Sequence, residues 1–166
     1  PEPAASLTGG ITGITHAMNP AELRGTLQRN LDLIKRDTAG ISDEDGLKRI
    51  GQGSSLNWVV GHVLSSRTRI MEFLGVEDST FKHDDISVLY GRDTQPDGAN
   101  ELPLSELLTL LEGTQQIVSD DIAGADLGKI IESPFGAKPV GDLVNFFAWH
   151  EGYHAGQVII FKRWLE

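Results

Sequence analysis

The chain has 166 residues, of which 39% are hydrophobic, and this is enough for one domain with an ordinary core. It carries 24 Asp and Glu against 14 Lys and Arg, a formal net charge of −10. Because no basic patch offsets that charge, we expect no binding to nucleic acid or to an anionic membrane surface. The chain has no Cys, which excludes a disulfide scaffold, a thiolate metal site and a cysteine nucleophile.

The apolar stretches fall well short of the roughly 20 residues that a membrane-spanning helix requires. The first eighteen residues lack the basic start and continuous apolar run of an intact signal peptide. We therefore expect a cytoplasmic location. Residues 1–18 are rich in Gly, Ala, Thr and Pro, and they predict an irregular lead-in to a single domain over residues 19–166.

Four segments place apolar residues at helical spacing between recognisable start and stop signals. The first begins at Asn19-Pro20, because Asn is a good N-cap and Pro is tolerated at the first helical position. Ser54 or Ser55 can cap the second, and Gly75 ends it. The predicted helices cover residues 20–39, about 55–74, 103–123 and 140–165.

Two long connections, at residues 75–102 and 124–139, separate the later helices, and the first has room for one short helical turn. Neither shows a convincing alternating strand pattern. The sequence therefore predicts an all-α fold, a four-helix bundle with long connections between helices 2 and 3 and between helices 3 and 4. A long connection in a compact domain often covers a site.

The last helix contains an unusual mixture of residues on one face. His150, His154 and Gln157 occupy the middle of an apolar stripe that we expect to be buried, and buried polar groups need partners. Three charged residues are expected to lie off the stripe and to be exposed to solvent: Glu151, Lys162 and Arg163. The stripe itself consists of Leu143, Phe146, Phe147, His150, Tyr153, His154, Gln157, Val158, Phe161, Trp164 and Leu165.

His150 and His154 lie one turn apart on the same side of the helix, a spacing that directs two ring nitrogens at one divalent cation. His62, on the second helix, can complete a three-histidine site that leaves a coordination position open. Two other interpretations remain: histidines hydrogen-bonded in the core, and a metalloprotease helix in which Glu151 follows the first ligand.

Four neighbouring residues are candidates for supporting roles. Gln157 can hold a histidine or a metal-bound water, or make a plain core hydrogen bond. Tyr153 and Trp58 are expected to be pocket walls rather than catalysts. Arg69 can attract an anionic thiol or substrate, although a surface role is the alternative.

Two features outside this site are also open to interpretation. His16 and His83 fall in polar segments and are expected to be solvated, with a fourth ligand as the alternative. A ridge of small residues on the last helix fits either packing within the bundle or a two-fold dimer contact. The ridge consists of Ala148, Gly152, Gly156 and Ile159.

The segments Asn57-Trp58 with Gly61-His62, and Trp149-His150-Glu151-Gly152-Tyr153-His154-Ala155-Gly156-Gln157, resemble the DinB/YfiT-like superfamily of metalloenzymes. The resemblance covers residues 19–166. It implies that His62, His150 and His154 bind nickel, zinc or a similar divalent ion, and that the protein is a homodimer. Relatives of this kind include S-transferases and isomerases that depend on low-molecular-weight thiols.

The leading hypothesis is therefore a metal-dependent, thiol-dependent S-transferase that acts on a small electrophilic molecule. Because the chain has no Cys, a thiol nucleophile must arrive as a cosubstrate. The resemblance is the only reason to prefer thiol transfer to metal-dependent hydrolysis. The alternative from another class is a metal- or ligand-binding stress-response module without turnover.

Overall fold

The computed structural model describes residues 19–76, 83–94 and 100–166, and for residues 83–85 it describes the backbone only. Within these ranges the protein is mainly α-helical, which confirms the predicted all-α class. The predicted lead-in at residues 1–18, together with His16, lies outside the described residues.

Four long helices form where the apolar spacing predicts them, and their caps are visible. The Asn19 side chain accepts a hydrogen bond from the Ala21 backbone N–H, and the Ser55 side chain accepts one from that of Trp58. Gly75, with φ of 76°, ends the second long helix in the left-handed conformation that glycine adopts readily. The long helices are α1 (Pro20–Thr38), α3 (Leu56–Leu74), α5 (Leu104–Gly124) and α6 (Val140–Leu165).

The connections contain more regular structure than the sequence predicted. The long segment after α3 holds an eight-residue helix rather than one short turn, and the preceding loop holds a four-residue helix. The sequence showed no convincing strand pattern, and the structure adds two antiparallel two-residue strands that pair before α6. Strands this short carry no alternation to detect. The added elements are α2 (Asp43–Gly46), α4 (His83–Tyr90), β1 (Ile130–Ile131) and β2 (Lys138–Pro139).

Each long helix packs against two of the other three. α1 contacts α5 and α6, and α3 contacts the same two helices, while α4 packs on α3. Buried apolar side chains from all four long helices fill the space between them in two clusters. No helix in the described ranges is long and apolar enough to cross a membrane.

A buried ion pair joins the four long helices at their centre. Arg67 on α3 and Glu151 on α6 are both fully buried, and two guanidinium nitrogens of Arg67 donate to the two carboxylate oxygens at 2.5 and 2.7 Å. Arg67 also donates to the Gln115 side chain on α5 and to the Leu27 carbonyl on α1. The guanidinium thus contacts every long helix.

The predicted orientation of the last helix was therefore partly wrong. Glu151, which we expected to face solvent, points inward because Arg67 satisfies its carboxylate. Several aromatic residues that we expected to be buried are instead about half exposed. These exposed residues are Phe146, Tyr153 and Trp164.

Replacing Glu151 with Gln should strongly destabilise the protein, because the buried guanidinium of Arg67 would lose its counter-charge. We expect the free energy of unfolding in urea to fall by about 3–5 kcal/mol. The matched control is Glu112→Gln, which removes the exposed partner of Lys35 and should cost less than about 1 kcal/mol. Equal effects of the two changes would contradict the role assigned to the buried pair.

Candidate metal centre

Three histidines from two helices converge at one point. His62 comes from α3, and His150 and His154 from α6, and one ring nitrogen of each lies within 4.8 Å of the other two. The Nε2 atoms of His150 and His154 are 3.1 Å apart. No Asp or Glu joins this group in the part of the chain that the structure describes.

The Nδ1 atom of each ring faces a hydrogen-bond acceptor. That of His62 is 2.7 Å from the Tyr90 carbonyl oxygen, and that of His154 is 2.8 Å from Gln157 Oε1. The Nδ1 atom of His150 is 3.3 Å from Ser66 Oγ, whose own proton is donated to the His62 carbonyl. These acceptors favour protonation at Nδ1, which leaves an Nε2 lone pair on each ring free to bind an ion.

The donor set fits a divalent transition metal. Two imidazole nitrogens bound about 2.0–2.1 Å from one ion, at angles of 90–110°, lie about 2.9–3.4 Å apart. The observed 3.1 Å between His150 and His154 falls in this range. Two unprotonated Nε2 atoms cannot hydrogen-bond to each other. A shared cation would therefore resolve a contact that is otherwise unfavourable.

The backbone of α3 positions His62 with help from α4. The ring of Tyr90 lies directly on Gly61, where a Cβ would be only 2.3 Å from Tyr90 Cδ1. Burial raises the pKa of Tyr90 to about 12, and its hydroxyl accepts a hydrogen bond from the Leu102 backbone N–H. Glycine at position 61 thus lets α4 approach closely enough for the Tyr90 carbonyl to orient His62.

Aromatic contacts fix the planes of the rings. The Trp58 indole stacks on His62 with ring centroids 4.7 Å apart and planes 9° from parallel. The Trp58 Nε1–H donates to Thr94 Oγ1 at 2.9 Å, which holds the indole in place. The His62 ring is edge-on to both His150 and His154, at 5.2 and 4.9 Å.

Burial keeps the three imidazoles neutral. Burial lowers the pKa of His62 and of His150, because their charged forms would lose hydration. For His154, only 6% exposed, burial lowers the pKa to about 4 despite the opposing hydrogen bond to Gln157. Neutral imidazole is the form that binds metals, so the site is prepared for a cation near neutral pH.

The three histidines line an open cleft of about 840 Å³. Phe135, Phe146 and Phe147 form an apolar wall, while Arg69 and Arg92 add positive charge. A second, smaller cleft of about 310 Å³ reaches His154 from the other side and is lined by Trp58, Tyr153 and Gln157 among others. The histidine cluster is accordingly accessible from the surface.

The predicted supporting residues all lie close to the cluster. Gln157 bonds to His154, and its amide also donates to the Tyr153 hydroxyl at 3.3 Å. Tyr153 is exposed and borders both clefts, while Trp58 forms a wall of the smaller one. Arg69 borders the larger cleft and pairs with Glu72 at 2.7 Å.

Of the two other candidates, only Glu151 has a described side chain, and it does not belong to the cluster. Glu151 is bound by Arg67 and faces the interior, so it is not placed to act as the general base of a metalloprotease. The side chain of His83 falls outside the described residues.

The ridge of small residues on α6 is divided between two environments. Gly152 faces Asn30 of α1, and Asn30 Nδ2 donates to the Ala148 carbonyl at 2.9 Å. This part of the ridge packs within the protein. At Gly156, in contrast, an added Cβ would meet no atom within 4 Å among the residues that the structure describes.

Sequence reasoning missed three contributors to this site. Ser66 was detectable in principle, because it follows His62 by one helical turn and therefore shares its face. The Tyr90 carbonyl and Phe135 had no comparable signal, since they come from connections whose path the helical pattern does not determine.

Protonation of His154 should destabilise the metal-free protein in mild acid. The pKa is about 4 in the folded state against an ordinary 6.5, so the unfolded state binds more protons between these values. The free energy of unfolding should therefore decrease as the pH falls from 6.5 to 4, by up to about 3 kcal/mol from this residue. Urea titrations with a chelator present measure the change.

The control for this experiment is His154→Asn, which cannot titrate and should show a shallower pH dependence over the same interval. Carboxylates contribute equally to both proteins, so the difference isolates the imidazole. Parallel curves for the two proteins would contradict the assigned burial of a neutral His154.

Comparison with known sequences agrees with this geometry. The sequence model of the DinB superfamily matches residues 17–158, which include all three histidines. No curated protein and no solved structure gives a significant match. The family match spans well over half of the chain, and the protein belongs to the DinB superfamily.

Proposed function

We propose that this DinB protein binds one divalent metal ion through His62, His150 and His154, on the scaffold of a four-helix bundle. The observation that carries the proposal is the convergence of one ring nitrogen from each of the three histidines, within 4.8 Å of one another, on rings whose Nδ1 atoms each face a hydrogen-bond partner. A histidine cluster held only by core hydrogen bonds would not need every lone pair directed at one point. Nickel and zinc both accept imidazole ligands, and metal availability helps to decide between them.

We further propose that the protein is a metal-dependent transferase of the thiol-dependent S-transferase type. When bound, the ion would supply Lewis acidity at the inner end of the larger cleft. The phenylalanine wall of this cleft would bind the apolar part of a small electrophile and exclude water from it. A low-molecular-weight thiol would serve as cosubstrate, because the chain contains no Cys.

The residues around the cluster would position these reactants. Ser66, Gln157 and the Tyr90 carbonyl hold the imidazoles in the orientation that ligation requires. Arg69 and Arg92 would attract an anionic group of the thiol or the substrate in a chain that is otherwise strongly acidic. The proposal includes a homodimer and a cytoplasmic location, with no role in nucleic-acid or membrane binding.

Two alternatives share the metal site but differ in its use. A metal-dependent hydrolase would use the same open cleft with water in place of the thiol. A metal- or ligand-binding stress-response module would use it without turnover. The access to the cluster from two clefts favours any of these over a closed structural metal site.

Removing any one of the three histidines should abolish stoichiometric metal binding. We expect about one zinc or nickel ion per chain in the untagged protein, and less than a tenth of that in His62→Ala, His150→Ala or His154→Ala. Elemental analysis after dialysis measures the content. His16→Ala is the control, because this histidine is not assigned to the site. Unchanged metal content in all three variants would refute the proposed site.

A small thiol should change the visible spectrum of the cobalt-substituted protein, since a three-histidine site leaves a position open to exogenous ligands. We expect saturable changes with 2-mercaptoethanol and no such change with the alcohol ethylene glycol. A spectrum that responds to neither thiols nor small anions would contradict the transferase proposal and favour a closed site. The metal content of the histidine variants is measured separately, so the two proposals can fail independently.

A further inference from the structure

Helix α6 presents a continuous apolar stripe to solvent along most of its length. The large side chains of this stripe are between 44% and 65% exposed. They recur every three or four residues, which places them on one face of the helix. The α6 stripe consists of Phe146, Trp149, Tyr153, Gly156, Ile160 and Trp164.

The stripe carries no exposed charge from Phe146 to Ile160, and Lys162 and Arg163 flank only its last member, Trp164. Residues 143–161 contain one formally charged side chain, Glu151, and it is fully buried against Arg67. This is unusual in a chain of which 23% is charged and whose net charge is −10. An uncharged apolar face of this length is typical of a binding surface rather than of ordinary solvated helix.

The area of the stripe is close to what an interface requires. Because a large aromatic side chain has about 150–250 Å² of surface, the exposed parts of these residues amount to roughly 600 Å² per copy. Gly156 and adjacent side chains add to this value. Stable complexes of standard size bury about 800 Å² on each partner.

The order of residues along the stripe is nearly symmetric about Gly156. Tyr153 and Ile160 lie three residues before and four residues after it, and Trp149 and Trp164 lie seven before and eight after. An antiparallel pair of such helices would place large side chains opposite large ones, with the two glycines together at the crossing point. A surface of this kind is complementary to itself, which is the requirement of a two-fold interface.

We propose that the α6 stripe is the homodimer interface, in which two copies of α6 cross in antiparallel orientation at Gly156. At this position an added Cβ would meet no atom of the described residues within 4 Å, which leaves room for the close approach of a second helix. This inference makes the proposed homodimer specific, and it does not depend on metal binding, since no stripe residue is one of the three histidines.

Other occupants of the stripe are less consistent with its chemistry. A partner recognised by charge would need ionic groups that this face does not have. A cellular membrane surface is commonly anionic and would repel a chain of net charge −10. A second copy carries the same charge, but the charge-free stripe keeps like charges away from the contact itself.

The interface would also complete the entrance of the larger cleft. Phe146 and Tyr153 belong both to the stripe and to the lining of that cleft. In the antiparallel arrangement, Trp164 of the second copy would lie at the level of Trp149, next to the cleft's rim. Each copy would therefore supply an aromatic side chain at the entrance to the other copy's site.

A single introduced cysteine tests the crossing point, because the natural chain has no Cys. In Gly156→Cys the two thiols would meet on the two-fold axis, within reach of a disulfide. We expect at least ten-fold more oxidised dimer on a non-reducing gel than with Gly124→Cys. Gly124 is a matched control, since it is an exposed helical glycine at which an added Cβ also meets none of the described atoms within 4 Å. Equal cross-linking of the two variants would overturn the proposed contact.

Solution mass provides the second test. Light scattering at about 100 µM should give a dimer for the natural chain and for Val88→Asp, and a monomer for Ile160→Asp. Both positions are exposed β-branched residues on helices, and only Ile160 belongs to the stripe. A monomeric natural chain, or an Ile160→Asp variant that stays dimeric, would overturn the inference.

Metal content separates this inference from the proposed function. Ile160→Asp should keep about one ion per chain, because Ile160 is not one of the three histidine ligands. A protein that dimerises through the stripe but binds no metal would refute the proposed function alone. A metal-binding monomer would refute the interface alone, and its binding to vesicles of neutral phosphatidylcholine would assign the stripe to a lipid surface instead.

Discussion

The buried pair of Arg67 and Glu151 sets the relative position of α3 and α6, and the histidine cluster depends on that position. Each charged residue is adjacent in sequence to a member of the site: Arg67 follows Ser66, and Glu151 follows His150. The ion pair and the contact between Ser66 and His150 therefore join the same two stretches of backbone. Sliding either helix by one residue would break both contacts at once.

A buried ion pair of this kind is not an efficient source of stability. Removing two charges from water costs several kcal/mol for each ion, and well-packed apolar residues would often stabilise a core as well. The hydrogen bonds of the pair are directional, however. The guanidinium of Arg67 also donates to Gln115 and to the Leu27 carbonyl, so few other arrangements of the helices would satisfy all of its donors. We infer that the pair specifies the arrangement of the helices more than it stabilises them.

Without a metal ion the histidine cluster is locally unfavourable, and the packing of α3 against α6 holds it in place. Burial keeps His154 neutral, and acceptors at Nδ1 turn the lone pairs of His150 and His154 toward each other at 3.1 Å. In a metal-free protein these groups would be more stable in water. Departures from the usual rules of core packing occur preferentially at functional sites, where a ligand compensates for them.

The sequence was sufficient for the long helices and for placing His150 and His154 on one face, because both depend on local periodicity, whereas the proximity of His62 was inferred from its residue type and from the family resemblance. Helical spacing identified His150 and His154 as neighbours and placed His62 at the edge of its helix, and glycine caps such as Gly75 marked the ends. It failed for Glu151, because hydrophobicity alone puts a carboxylate at the surface and the partner that buries it is 84 residues away.

The same limitation explains the misjudged aromatic face. Aromatic residues such as Phe146 and Trp164 count as core residues in a periodic pattern, yet the described part of the chain leaves about half of each side chain exposed. The orientation of α6 is decided by Arg67 and Asn30, which contact it from α3 and α1. Contacts between distant segments of this kind cannot be read from the spacing of residues within one helix.

The most direct test of the central claim is NMR of the imidazole nitrogens during titration with ¹¹³Cd²⁺, a substitute for zinc. Before addition, the long-range ¹H–¹⁵N spectrum at neutral pH should show His62, His150 and His154 protonated at Nδ1. After one equivalent, all three Nε2 atoms should show coupling to a single cadmium signal. Protonation at Nε2, or coupling that reaches fewer than three of these rings, would contradict the three-histidine centre.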